Sequence, residues 1–170
     1  MCSPWYYYPT LPPYINNTRV IIINMGWPSH NWYGQTYRWN QPTYNNWGRY
    51  NDLDYAVQDI VSAFERRDYR AINRLVPNRG NVHIYLDGRY SYSLQPDDFY
   101  DLFVDGIENA RTVRYEITEV RQNGRYAKVT ARHQYVDPWN QRSTTYHDFF
   151  LEQDGRDYVI REFGTTNYRY

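Results

Sequence analysis

A chain of 170 residues with a formal net charge of zero has the size of one domain with an appendage. The balanced charge gives no basic field for nucleic acid and no acidic field for a cationic partner. No stretch approaches the roughly 20 apolar residues of a membrane span, and the single cysteine, Cys2, has no internal partner for a disulfide.

The chain opens MCSPWYYYPT, without the basic and apolar segments of a signal peptide. Read as a mature or truncated form, with Cys2 as a lipid-bearing residue behind a start Met, it points to a bacterial extracytoplasmic location. Read as an ordinary start with an exposed thiol, it points to the cytoplasm. The sequence does not choose between these.

Residues 1–50 contain no Asp or Glu, and they hold Trp5, Trp27, Trp32, Trp39 and Trp47 among many Tyr, Asn and Pro. PTLPPY cannot form a helix, because proline fixes φ and lacks an N–H. The one regular-looking piece is Arg19–Asn24, RVIIIN, a β-branched run suited to a strand. Left alone, its Val20, Ile21, Ile22 and Ile23 would make a sticky bare edge. This region is therefore expected to be an extended aromatic arm. Its strand would add to a sheet on another copy of the chain, with Trp27 and the other tryptophans covering the junction. Aromatic and Asn-rich surfaces also stack on sugars, so a cell-surface glycan is an alternative partner for the arm.

From residue 51 the pattern is regular. Asn51 with Asp54 resembles a helix cap, and Leu53, Ala56, Val57, Ile60, Val61 and Phe64 recur at helical spacing. Asp68 is placed to cap a second helix carrying Ala71, Ile72 and Leu75, ended by Pro77. VHIYLDGRYSYSL is a hairpin about Asp87-Gly88. Pro96 opens a third helix with Phe99, Leu102, Phe103 and Ile107 on one face. Four strands follow, predicted over Thr112–Arg121, Tyr126–Val136, Ser143–Glu152 and Asp157–Phe163. Helices against one face of a curved antiparallel sheet make residues 51–170 an α+β domain.

This order, with opening helices in DLDYAVQDIVSAFERRDYRAINRLV, a helix in QPDDFYDLFVDGIENA and a closing meander, resembles the cone-shaped superfamily of nuclear transport factor 2. That superfamily includes the SnoaL-like and ketosteroid-isomerase-like proteins. The resemblance covers about residues 52–163. It implies a cystatin-like roll, a sheet wrapped around helices, with any pocket inside the cone. Its members are enzymes, binding domains or dimerisation modules, so it leaves function open. The arm has no counterpart in that pattern.

The meander carries the one cluster with chemical potential. In Tyr126–Val136 the odd positions Ala127, Val129, Ala131, His133 and Tyr135 are expected to face inward. Setting Val129 opposite Leu151 and Ala131 opposite Phe149 places His133 opposite His147, with Arg132 opposite Asp148 on the outer face. An Asp154-Gly155 turn then places Leu151 opposite Tyr158, Phe149 opposite Ile160, His147 opposite Glu162 and Asp148 opposite Arg161. The expected result is an inner row of His133, His147 and Glu162, and an outer ladder of Arg132, Asp148 and Arg161. The preceding strand is expected to turn in Val113, Tyr115 and Ile117, after a loop of three residues about Asn123-Gly124. It brings either Tyr115 or Val113 beside His133.

A carboxylate beside two imidazoles suits acid–base work near neutral pH, and Tyr115 or Tyr135 could polarise a carbonyl. Scytalone-dehydratase-like members of the resembled family use such groups inside the cone. On that reading the pocket is lined by Tyr115, His133, Tyr135, His147, Phe149, Tyr158 and Glu162, and the protein is a small-molecule lyase, isomerase or ligand-binding module. The competing reading takes the row as self-satisfied sheet structure, without cofactor or metal. Adjacent strands hold side chains in a line about 5 Å apart rather than converging on an ion. His83 is expected to face outward. The reading favoured on sequence is a noncatalytic domain that self-associates, as a dimer or an open chain, through the arm, the sheet or both.

Overall fold

The computed structural model describes the backbone of Gln35–Thr36 and residues 52–167. The expected strand at Arg19–Asn24, with Val20, Ile21, Ile22 and Ile23, lies outside the described residues, as do the arm tryptophans including Trp27 and the Asn51 cap.

The described elements are β1 (Gln35–Thr36), α1 (Asp52–Arg66), α2 (Tyr69–Leu75), β2 (Val82–Leu86), β3 (Arg89–Leu94), α3 (Pro96–Glu108), β4 (Arg111–Asn123), β5 (Tyr126–Val136), β6 (Arg142–Asp154) and β7 (Asp157–Thr166). α1 buries Leu53, Ala56, Val57, Ile60, Val61 and Phe64. Asp52 and Asp54 in its first turn and Arg66 in its last complement the helix dipole. The Asp68 carboxylate caps α2 by accepting from the backbone N–H groups of Arg70 and Ala71, at 3.0 and 3.2 Å. Arg74 ties α2 back to α1 through a two-pronged pair with Asp59. Val76 is already extended, as the residue before a proline prefers. Asp87 and Gly88 both have positive φ, 49° and 72°. That conformation matches the twist of two strands joined by a two-residue turn.

The sheet runs β1-β4-β5-β6-β7-β2-β3. The sheet is mixed, which corrects the all-antiparallel expectation: β2 lies parallel to β7, with His83 opposite Glu162 and Ile84 opposite Phe163. Alternation of apolar and polar residues gives each strand its faces. It does not say which edge of a meander an earlier hairpin joins, or in which direction. α3 carries the chain from β3 to the opposite side of the sheet, which leaves the edge of β7 for β2 to fill.

Helices and sheet bury one continuous core, from Leu53 of α1 to Phe163 of β7. Its described members run from residue 53 to residue 163. Among the described residues no helix is long and apolar enough to cross a membrane.

Candidate functional site

The interior of the cone is built where α1 crosses β4, β5 and β6. Phe64, on the last turn of α1, stacks on Tyr115 of β4 with ring centroids 4.3 Å apart and planes 6° from parallel. The same ring meets His133 at 5.1 Å and His147 at 4.9 Å. The two imidazoles touch each other at 5.3 Å, edge to face. Phe103 of α3 and Phe163 of β7 close the far side. At these separations the rings are in direct contact, and no substrate fits between them.

His147 and Tyr115 share a hydrogen bond, Nδ1 to hydroxyl, of 3.0 Å. His133 Nε2 is bonded to the Thr112 hydroxyl at 2.9 Å, while its Nδ1 has no hydrogen-bond partner among the described residues. Both histidines are buried, at 1% and 0% exposure. Burial pushes the His133 imidazole down to about 3. It holds His147 well below the usual histidine range, with the neighbouring His133 adding to the effect. Burial also raises the Tyr115 hydroxyl well above its ordinary value. All three groups are neutral near pH 7, so neither ring carries the proton a general acid needs there.

The inner and outer faces are as the alternation predicts, but the partners differ. Across β5 and β6, Val129 lies opposite Phe149, Ala131 opposite His147 and His133 opposite Thr145. His133 and His147 are therefore diagonal neighbours rather than a direct pair. The cause is the loop after Val136. Asp137 accepts backbone hydrogen bonds from Trp139 and Gln141 at 3.0 and 2.8 Å, and its own N–H donates to the Gln141 carbonyl. This closed loop moves the register by two residues. A shift of two keeps every side chain on its face, so apolar pairing alone cannot detect it.

Glu162 is not in the row. Between Phe150 and Leu151 the β6–β7 register shifts, so that Leu151 faces Ile160 but Phe149 faces Phe163. The shift turns Glu162 outward opposite Phe150, and Thr165 takes the place beside His147. The turn residues are Gly155 and Arg156, because Asp154 and Asp157 still pair. The outer ladder is likewise re-paired. Arg132 meets Glu116 at 2.5 Å, Lys128 meets Asp148 at 3.4 Å and Arg161 meets Glu152 at 2.8 Å.

On β4, Tyr115 is the residue beside His133, with Glu116 beside Arg132. The odd offset this requires comes from shifts in the strand near Val113 and Thr118, not from a three-residue loop, since Asn123 pairs with Tyr126 across a two-residue turn. Val113 is consequently 55% exposed rather than inward, and Thr112 enters the interior in its place.

The structure thus brings together Tyr115, His133, Tyr135, His147 and Phe149. It leaves Tyr158 nearer the turn, where its hydroxyl accepts from the Gln122 side chain at 3.0 Å, and puts Glu162 on the other face. His83 is half-buried on that outer side, with Nδ1 2.6 Å from the Ser93 hydroxyl. The sequence pattern does not assign Thr112, Phe64 or Thr165 to this cluster. The spacing Tyr158, Ile160, Phe163 already breaks a period of two by one residue, which is the sequence signal for the bulge. Nothing in the sequence marks Thr112. Among the described residues no three His, Cys, Asp or Glu side chains cluster to hold a metal ion.

No family model matches this sequence, and no curated protein does. Solved structures share its architecture. A DUF4783 family protein from Bacteroides uniformis is 9% identical, with a TM-score of 0.54 over 66% of this chain and 97% of its own. A putative ketosteroid isomerase from Shewanella frigidimarina is 14% identical, with a TM-score of 0.53 over 68% and 95%. An NTF2-like protein of unknown function from Shewanella oneidensis is 14% identical, with a TM-score of 0.52 over 67% and 95%. At these identities the likeness concerns the fold alone, and the fold is that of the nuclear transport factor 2-like cone.

Proposed function

We propose that this nuclear transport factor 2-like domain is a noncatalytic assembly module, self-associating through its N-terminal arm. The observation that carries the reading is the filled interior. The volume in which a cone of this type would hold a ligand is taken by Phe64, Tyr115, His133, His147 and Phe103 in mutual contact. The imidazoles serve as neutral packing groups that fix the position of α1 over the sheet. The arm, rich in Trp and Tyr and free of acidic residues, supplies contact surface of the kind enriched in protein interfaces.

Light scattering on residues 1–170 and on residues 51–170 tests the reading. The truncated chain should fold and have the smaller assembly mass. Equal masses would remove the arm from assembly. The rival reading, a small-molecule lyase, isomerase or binding module built on His133 and His147, requires α1 to move so that the rings part. A ligand that shifts the His133 and His147 ring resonances while the fold is retained would favour it.

A further inference from the structure

β1 pairs with β4 only at Arg121 and Gln122. From Arg111 to Val120, no described strand lies along the edge of β4 that faces away from β5. An edge of that length presents a row of backbone N–H and C=O groups to a further strand. The side chains along it are ordered by sign. Arg111, Arg114, Glu116 and Glu119 lie opposite Val136, Gln134, Arg132 and Thr130 of β5, which are alternate residues on one face. The outer face of β4 therefore carries two cations and then two acids, placed symmetrically about Tyr115. The register shifts of β4 keep that symmetry. One falls between Thr112 and Arg114, the other between Ile117 and Glu119, so each half of the strand has the same spacing of outward charges. Val113, at the first shift, is exposed.

We propose that β4 is a dimer seam: two copies of the chain join their β4 strands antiparallel, about a two-fold axis at Tyr115. In that register Arg111 of each copy lies opposite Glu119 of the other, and Arg114 lies opposite Glu116. The two-fold makes each pair occur twice. Val113 meets Ile117, Thr112 meets Thr118, and the shifted segments of the two strands lie against each other. Other registers are disfavoured. A slide of two residues one way sets Glu116 against Glu116 and Arg111 against Arg121, and the other way sets Arg114 against Arg114. A slide of one residue sets outward side chains against inward ones. Charges on an edge strand ordinarily block pairing; this order of charges admits the same strand reversed. The acids have capacity for the added cations. Arg114 reaches Glu116 within its own strand at only 3.5 Å, with the guanidinium 61% exposed, and a carboxylate that already holds Arg132 or Arg121 still accepts from a further donor. Arg111 enters none of the described ion pairs. The seam ends at Glu119, short of Arg121, so β1 keeps its place. No arm residue takes part, and the seam is a second surface beside the one proposed above.

A charge swap at the ends of the seam tests it, on the full chain and read by sedimentation equilibrium. Arg111→Glu sets two acids against Glu119 residues, and Glu119→Arg sets two cations against Arg111 residues. Each should weaken dimerisation about ten-fold, because symmetry replaces two attractive pairs by two repulsive ones. The double variant, Arg111→Glu with Glu119→Arg, restores both pairs and should dimerise as the unmodified chain does. Rescue by the swap separates loss of pairing from loss of fold. In the unmodified chain, amides of Arg111–Glu119 that point away from β5 should be protected from hydrogen exchange at high protein concentration and lose that protection on dilution. A double variant as weak as the single ones would overturn the seam, as would exchange in β4 that is independent of concentration. Three variants that all associate like the unmodified chain would also overturn it, and would leave the arm reading standing.

Discussion

His133 and His147 are held neutral by the rings around them, and this gives the domain a defined acid sensitivity. Their folded pKa values lie below the ordinary 6.5, at about 3 for His133 and well below 6.5 for His147. Above pH 6.5 both folded and unfolded chains are neutral at these positions, so stability is complete there. Below it the unfolded chain takes up protons that the folded chain refuses, and stability falls with pH until about 3. The slope contributed is at most about 1.4 kcal/mol per pH unit for each ring. Urea unfolding at pH 7.0, 5.5 and 4.5 should show this loss, and a His133→Phe, His147→Phe double variant should show a shallower one. An unchanged slope in that variant would place the acid sensitivity elsewhere. Phe64 is the ring both imidazoles share. Phe64→Ala should cost about 3–5 kcal/mol, as a fully buried aromatic does, measured by the same titration.

At the scale of elements, the parts that could be read from the sequence are those governed by local rules. Asp87-Gly88 marked its turn because both positions need positive φ. β5 begins and ends where alternation predicts, at Tyr126 and Val136, and the Asp68 cap forms as its residue type suggests. The parts that escaped are the register shifts. Tyr115 reaches His133 only because β4 carries an extra residue near Thr118, and Glu162 leaves the histidines because of the shift at Phe150. Such shifts depend on how two strands fit together, which the alternation within either strand does not encode. Asp137 is the exception, a side chain that sets a register through hydrogen bonds to its own loop. Asp137→Ala should therefore destabilise the domain by about 1–2 kcal/mol and broaden the amide resonances of Trp139, Asn140 and Gln141. Sharp, unshifted resonances there would mean the loop is fixed by other contacts.

At the scale of the whole molecule, the described core runs from Leu53 of α1 to Phe163 of β7, across helices and sheet alike. Removal of residues 1–50 should accordingly leave a single cooperative thermal transition within a few degrees of that of the full chain at low concentration, by scanning calorimetry. A drop much larger than that would show the arm to be part of the fold rather than an addition to it. The sequence separates these two regions by composition alone, since the acidic residues begin only after residue 50.

The parallel seam between β2 and β7 also sets an order of events in synthesis. β2 emerges from the ribosome early, yet its inner neighbour, β7, is the last of the described strands. Until β7 has been translated, His83, Ile84 and Tyr85 have no strand to lie against on that side, and Phe163 is not there to close the aromatic interior. At roughly 5–20 residues per second, the early helices and hairpin must wait several seconds with apolar surface uncovered. The β2–β7 seam therefore closes in one late step, with the arrival of β7.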